Sequence, residues 1–365
     1  MNLNDMEQYW IWLSSVEGIG PKRFYQMISV YEDARTVWDN VGDSEMRFLG
    51  PVVLESLRAA RSERYFFELF RKIERAEVRC VTRLSDDYPK LLSNIFDPPP
   101  TLYVRGEGAI DSEKSFAIVG SRRCTRDGQR AAREFAEVLA HEGVTVFSGM
   151  AHGIDTAAHE GALIGMGKTV AVLGCGADVI YPQENEALYK RILSGGGAVI
   201  SEYTPGTKPI PGNFPARNRI ISGCTQGTLL VEGAEKSGAM ITVNDALDQN
   251  RDVFAVPGSI YSSLSIAPNR MIADGAIPCL SAWDIMEHYR WGRRPNAKES
   301  APRPKLELDP EDDAIVRPLL EQELSFDELA NLVDFPISKL NSHLTMLELR
   351  GIIVKVPGGM YRAYL

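Results

Sequence analysis

The chain has 365 residues, 44% of them hydrophobic and 24% charged: ordinary globular values, with room for one large domain and satellites or for two or three domains. A net charge of −9 argues against a protein that coats itself with nucleic acid by bulk charge, yet leaves room for a local basic groove. Five dispersed cysteines without a C-x-x-C pair, no basic secretory n-region and no apolar run of membrane-span length give the expectation of a reduced, cytoplasmic protein that meets no membrane.

In chain order, "MEQYWIWLSSV", "GPKRFYQMISVY" and "PVVLESLRAARSERYFFELFRKIERAEV" carry apolar residues at helical spacing, so residues 1–80 are predicted to be a helical domain. Within it, "VEGIGPKRF" resembles a helix-hairpin-helix turn. Its glycine N–H groups, with Lys22 and Arg23, would meet DNA phosphates; the alternative is a turn that only packs two helices. A proline-rich connection then ends in a short strand, "TLYVRG".

From Ser115 the rhythm changes. Short apolar runs ("SFAIVG", "VTVFSG", "KTVAVLG", "AVISEY", "GTLLVEG", "DVFAVPG") alternate with helical stretches. Nearly continuous Val, Ile, Leu and Ala are expected where a strand is covered on both faces. Residues 81–290 are therefore predicted to form a doubly wound parallel sheet, with ligands at the C-terminal strand ends. Residues 291–308, with three prolines and no apolar period, read as a linker. Residues 309–365 give three short helices and a hairpin turned at Gly358-Gly359, the pattern of a winged helix-turn-helix.

The strand ends carry the chemistry. "AIVGSRRCTRDG" puts Gly120-Ser121 at a strand end and Arg122 and Arg123 in the turn before a helix. Free backbone N–H groups, a helix dipole and two guanidiniums suit a phosphate; the plain alternative is a tight turn with solvated arginines. It is neither a Walker A loop nor a dinucleotide fingerprint: "GCGADV" has Val179 where the third glycine should stand. "FPARNRIISG" places Arg217, Asn218 and Arg219 at a helix start, where they cannot all share one face. One arginine would reach outward and the other pair inward with Glu202 or Glu232. Phe214 is a candidate platform for a base. Taken alone, the segment fits a structural ion pair and a phosphate clamp equally well.

"SGMAHGIDTAAHEGAL" holds Ser148, His152, Asp155 and His159. A metal site or a Ser/His/Asp triad is disfavoured, because no second ligand cluster and no nucleophile elbow accompany them. Asp155 is instead expected to cap a helix. Glu232, at the end of "GTLLVEG", is expected to hold an arginine rather than act as a general base, since no second carboxylate is placed to share acid–base work.

Seven motifs in order, from "AIVGSRRCTRDG" to "VFAVPG", closely resemble the DNA-processing protein DprA (Smf) family, strongly over residues 84–286. The resemblance implies an extended Rossmann fold behind a SAM-like N-terminal domain and ahead of a winged helix. It also implies single-stranded DNA binding, protection of incoming DNA in natural transformation, loading of the RecA recombinase and no enzymatic activity or cofactor. A homodimer would form through the late Rossmann region, near residues 266–277. The implied DNA pocket is Gly120, Ser121, Arg122, Arg217, Asn218 and Arg219. Arg123 and Phe214 join it as candidates, with Ser148, Gly149, Gly153, Asp155, Glu202 and Glu232 as its support. Family members place a basic residue shortly after Y-P-x-x-N; here Ala187 and Leu188 stand there, and the first lysine is Lys190. Two other readings remain: a nucleotide phosphoribohydrolase-like enzyme, from the G-T-x-x-E likeness of "GTLLVEG", and a transcriptional regulator led by the winged helix.

Overall fold

The computed structural model describes residues 4–294, 308–333, 335–350, 352–356 and 359–363. They fall into two compact units, Met1–Arg294 and Pro295–Leu365. The expected linker at 291–308 lies mostly outside the described residues.

The first unit opens with helices α1 (Asp5–Ser15), α2 (Pro21–Tyr31), α3 (Ala34–Asp39), α4 (Pro51–Ala60) and α5 (Glu63–Arg75). Their cores meet around Trp12, Phe24, Met27 and Leu57, all fully buried, and the indole N–H of Trp12 donates to Ala60 O at 2.9 Å. The same cluster takes in Cys80, Tyr103 and Ala177 from the sheet side. The expected boundary at residue 80 therefore falls inside a strand, β1 (Arg79–Thr82), and the helices share their core with the sheet they precede.

Beyond β1 come α6 (Lys90–Ser93), β2 (Thr101–Arg105), β3 (Ser115–Val119), α7 (Arg126–His141), β4 (Thr145–Ser148), α8 (Ile154–Ile164), β5 (Thr169–Val172), α9 (Glu186–Ser194), β6 (Ala198–Ser201), α10 (Asn213–Gly223), β7 (Gly227–Leu230), α11 (Gly238–Asp248), β8 (Asp252–Ala255), α12 (Ile266–Ala273), β9 (Ile277–Pro278) and α13 (Ala282–His288). The nine strands lie in the order β1-β2-β6-β5-β4-β3-β7-β8-β9. From β6 to β9 all pairs are parallel; β1 and β2 add an antiparallel edge. Alternate residues of β3 feed opposite faces, as a strand requires. Phe116 and Ile118 pack with α7, α8 and α13, while Ala117 and Val119 pack with α10 and α11. From β3 the chain proceeds to β4, β5 and β6 on one side, then returns to β7 and β8 on the other. The C-terminal end of β3 is thus the topological switch point, where such sheets open a crevice.

The second unit holds α14 (Pro310–Glu321), β10 (Leu324–Ser325), α15 (Phe326–Leu332), α16 (Ile337–Leu349), β11 (Ile353–Val356) and β12 (Met360–Ala363), with sheet order β10-β12-β11. Ile315, Leu329, Leu340, Leu347 and Tyr361 form its core. This is the expected winged helix; of its hairpin turn, Gly358 lies outside the described residues.

Candidate nucleic-acid interface

A cleft of about 520 Å³ opens at the switch point. The β3–α7 turn gives it Gly120, Ser121, Arg122 and Arg123, α10 gives Phe214, Arg217 and Asn218, and the start of α11 gives Ser237, Gly238 and Thr242. A small side pocket shares Arg122, Phe214 and Arg217 and adds His152 and Tyr181. The sequence-predicted residues of the β3–α7 turn and of α10 are therefore brought together.

The β3–α7 turn is pinned from within. Ser121 N–H donates to Glu232 O (2.8 Å), Arg123 N–H to Ser121 Oγ (3.1 Å), and Ile154 N–H to Ser121 O (3.2 Å). Glu232 accepts from Thr125 N–H at 2.8 Å and from Thr125 Oγ at 2.6 Å. Two expectations are corrected here. The turn is not a nest of free N–H groups, and Glu232 holds the start of α7 rather than an arginine. A carboxylate already sits at the positive end of this helix, where a phosphate was expected. The anion chemistry of the turn falls to the side chains of Arg122 and Arg123. Both are exposed, and among the described residues neither meets a carboxylate. Arg122 lies over the Phe214 ring, 5.9 Å from its centroid, and the Tyr181 ring lies 5.2 Å from that of Phe214, tilted by 36°.

Arg217 is the centre of the site. Only 4% of it is exposed. Its Nη1 donates to Gly149 O at 2.8 Å and to Val172 O, and its Nε donates to Asn218 Oδ1 at 3.2 Å. Among the described residues no carboxylate oxygen lies within 4.0 Å of the guanidinium. Burial lowers its pKa to about 10; Asp155 opposes that shift and the nearby Arg122 adds to it. Gly149 has no room for a side chain, because a Cβ would stand 2.8 Å from both Arg217 Nη2 and Asp155 Oδ2. Ser148 anchors the end of β4 by donating to Ile118 O at 2.7 Å.

Asp155 is not the cap of α8. That position is Gly153, whose φ of 78° suits only glycine and whose Cβ would lie 2.3 Å from Ser121 O. Asp155 is the second residue of the helix, in its first turn, accepting from Gly149 N–H (3.2 Å) and Ala151 N–H (3.3 Å). Burial raises its pKa to about 6, against the pull of Arg217. His152 and His159 do not converge with it. His159 is fully buried with Nδ1 on the Thr169 hydroxyl (2.7 Å), while His152 is exposed and 3.8 Å from Glu184.

Arg219 has a different fate. Its Nη1 and Nη2 donate to the two Glu202 oxygens at 2.8 and 2.7 Å, and Nε lies 3.3 Å from Asp97 Oδ2. Burial works to lower its pKa, but Glu202 and Asp97 together hold it above the usual arginine value. The expectation that one arginine reaches outward is thus corrected: both turn inward, because α10 is packed against the sheet on one side and α6 and α11 on others. Lys190, exposed on α9, pairs with Glu186 at 2.6 Å and does not line the cleft.

Sequence reasoning missed Tyr181 and the start of α11. Tyr181 stands in the "GCGADVIYP" strand end, but nothing in that run says it will lie against Phe214. Helix α11 points its N-terminus at the cleft, has no acid in its first turn, and its cap Ser237 has a buried hydroxyl without a hydrogen-bond partner among the described residues.

On the winged-helix unit, the cations of α16 are already engaged by α14. Lys339 lies 2.5 Å from Glu311, and His343 and Arg350 meet Asp312 at 2.7 and 3.0 Å. Asp309, Asp312 and His343 are close enough to share an ion, but Asp309 caps α14 and Asp312 is taken by the His343 and Arg350 side chains.

Comparison with known proteins gives two family matches: DNA recombination-mediator protein A over residues 79–290, and the DprA winged helix domain over residues 299–359. Protein Smf of Synechocystis is 31% identical over 98% of this chain and 99% of its own. The X-ray structure of DNA processing protein A from Streptococcus pneumoniae superposes with a TM-score of 0.65 at 31% identity, covering 79% of this chain and 98% of that one. That of Helicobacter pylori, described for its single-stranded DNA binding mode, gives 0.53 at 28% identity over 59% and 97%.

Proposed function

The chain belongs to the DNA recombination-mediator protein A (DprA/Smf) family, and from that premise we propose that its cleft binds the backbone of single-stranded DNA. One observation carries the reading: the buried Arg217, which among the described residues has no carboxylate within 4.0 Å and only the more distant Asp155 in its field, lines one cleft with Arg122, which is exposed and meets no carboxylate among those residues. A buried charge normally has a partner, because desolvation is costly. A phosphate would supply it, and a guanidinium's planar fork matches two phosphate oxygens at once. Phe214 and Tyr181 beside the two arginines offer ring faces to an unstacked base, which a duplex would not present.

In this reading the protein shields incoming single strands in the cytoplasm during natural transformation and hands them to the RecA recombinase. It has no catalytic step and needs no cofactor. A homodimer through residues 266–277 belongs to the same reading; Ile266 is exposed at the start of that stretch, and Ile260 and Tyr261 are exposed just before it. Glu232, the carboxylate a phosphoribohydrolase would use, spends both oxygens on Thr125. The test is Arg217→Lys, which keeps the charge and loses the fork. Binding of a labelled oligonucleotide should weaken. Because the fork also holds Gly149 O and Val172 O, the unfolding midpoint should fall too, so binding is measured well below it and compared with Arg122→Ala, an exposed change that should weaken binding at an unchanged midpoint. Unchanged binding would remove Arg217 from the interface.

A further inference from the structure

A second basic surface lies on the same rim of the sheet, outside the cleft. It is a shallow groove formed by Arg71, Lys72 and Arg75 of α5 and closed by Asp178 from the loop after β5. All three cations are exposed, and among the described residues none meets a carboxylate. Two acids also line the groove: Glu68, which accepts from Arg64 Nε at 2.9 Å, and Asp178, which accepts from Gly206 N–H at 2.7 Å. The helix dipole favours cations in the last turn of α5. That covers Lys72 and Arg75 but not Arg71, one turn earlier, where it repels Arg75 on the same face.

The loop after β5 links the groove to the cleft's side pocket. Gly174 packs against Phe214, and Cys175 lines the side pocket with Arg217. Gly176 N–H then donates to Thr207 O at 2.9 Å, and a Cβ on Gly206 would lie 3.1 Å from Lys72 Cε. Lys208, exposed and also without a carboxylate partner among the described residues, stands between the two sites along the chain. The cleft opens at β3 and the groove borders the loop that follows β6, three strand spacings away, roughly 14 Å.

We propose that a strand held in the cleft continues along this rim and lays its next phosphates on Arg71, Lys72 and Arg75, with Lys208 between. The inference rests on the single-stranded-DNA reading of the cleft. It makes the N-terminal helices part of the DNA path rather than a bystander domain.

The test uses the full chain and two oligothymidylates, of about six and about sixteen nucleotides, spanning the usual range of single-strand site sizes. Binding is followed by anisotropy between low and moderate salt. Three added phosphate contacts make the log–log salt slope of the long oligonucleotide steeper than that of the short one by about 2. A fourfold rise in salt then costs the long oligonucleotide about 18-fold more affinity than the short. Replacing Arg71, Lys72 and Arg75 together by Ala should erase that difference and leave the short oligonucleotide unchanged. The single charge reversal Lys72→Glu should reduce it in part. Equal slopes for both lengths in the wild type, or a triple variant that keeps the difference, would overturn the inference and leave the cleft intact. Failure of the cleft reading looks different: Arg122→Ala would then leave binding of the short oligonucleotide untouched.

Discussion

Replacing Arg219 by Ala is expected to lower stability and to spare DNA binding, although Arg219 stands two residues from Arg217 in the same segment. Its guanidinium makes two bonds to Glu202 and a third contact with Asp97, and only 11% of either the Arg219 or the Glu202 side chain is exposed. Removing the cation leaves Glu202 buried and uncompensated, a change that costs about 3–5 kcal/mol. Asp97 is 33% exposed and keeps some water, which favours the lower figure, about 3 kcal/mol. The unit spans 294 residues. At about 2.1 cal/mol/K per residue its unfolding entropy is roughly 0.6 kcal/mol/K, so the midpoint should fall by about 5 °C. Arg219→Lys retains the charge without the fork and should fall by less. Calorimetry gives the midpoint, and anisotropy well below it gives the binding. If Arg219→Ala keeps its midpoint and loses binding, Arg219 touches DNA and the division of labour between the two arginines is wrong.

Three other outcomes follow from the same geometry. Glu232→Ala strips the start of α7 of its carboxylate and should cost about 1–2 kcal/mol, read as a lower urea midpoint; an unchanged midpoint would refute the capping role. Asp155 has a folded pKa raised to about 6 by burial, so between the ordinary aspartate range and pH 6 the folded state binds more protons than the unfolded one. Stability should therefore fall as pH rises through that window, and Asp155→Asn should flatten the dependence; parallel curves for the two proteins would contradict it. Phe214→Ala should lose about 1–3 kcal/mol of single-strand affinity, with Phe214→Trp retaining it, whereas equal losses in both would argue against stacking.

Much of this was legible in the sequence because the strands of the parallel sheet are buried on both faces and so read as unbroken apolar runs. β1 was not legible. "RCVT" directly follows a charged helix and becomes a strand only by pairing antiparallel with β2. β9 is two residues long and owes its existence to β8. In the site, Arg122 and Arg217 could be proposed because the fold places ligands where strands end. The partner of Glu232 could not, because Thr125 is 107 residues away and meets it only once β3 and β7 pair side by side. Helical spacing says that Arg217 and Arg219 point different ways, but not that α10 is covered on more than one side, so that both find carbonyls or carboxylates inside. A cation kept free and a cation locked in a pair look alike until their surroundings are assembled.

The most direct test of the central claim is the salt dependence of binding of an oligonucleotide of about six nucleotides, single-stranded against duplex. Wild type is compared with the variant carrying Arg122→Ala and Arg123→Ala, two exposed side chains whose loss should not disturb the fold. Three cleft arginines predict a single-strand slope near −2, and the variant should be shallower by about 1.4, with the wild type preferring the single strand over the duplex. A slope that stays the same in the variant, or an equal grip on duplex, would contradict the assignment of the cleft to single-stranded DNA.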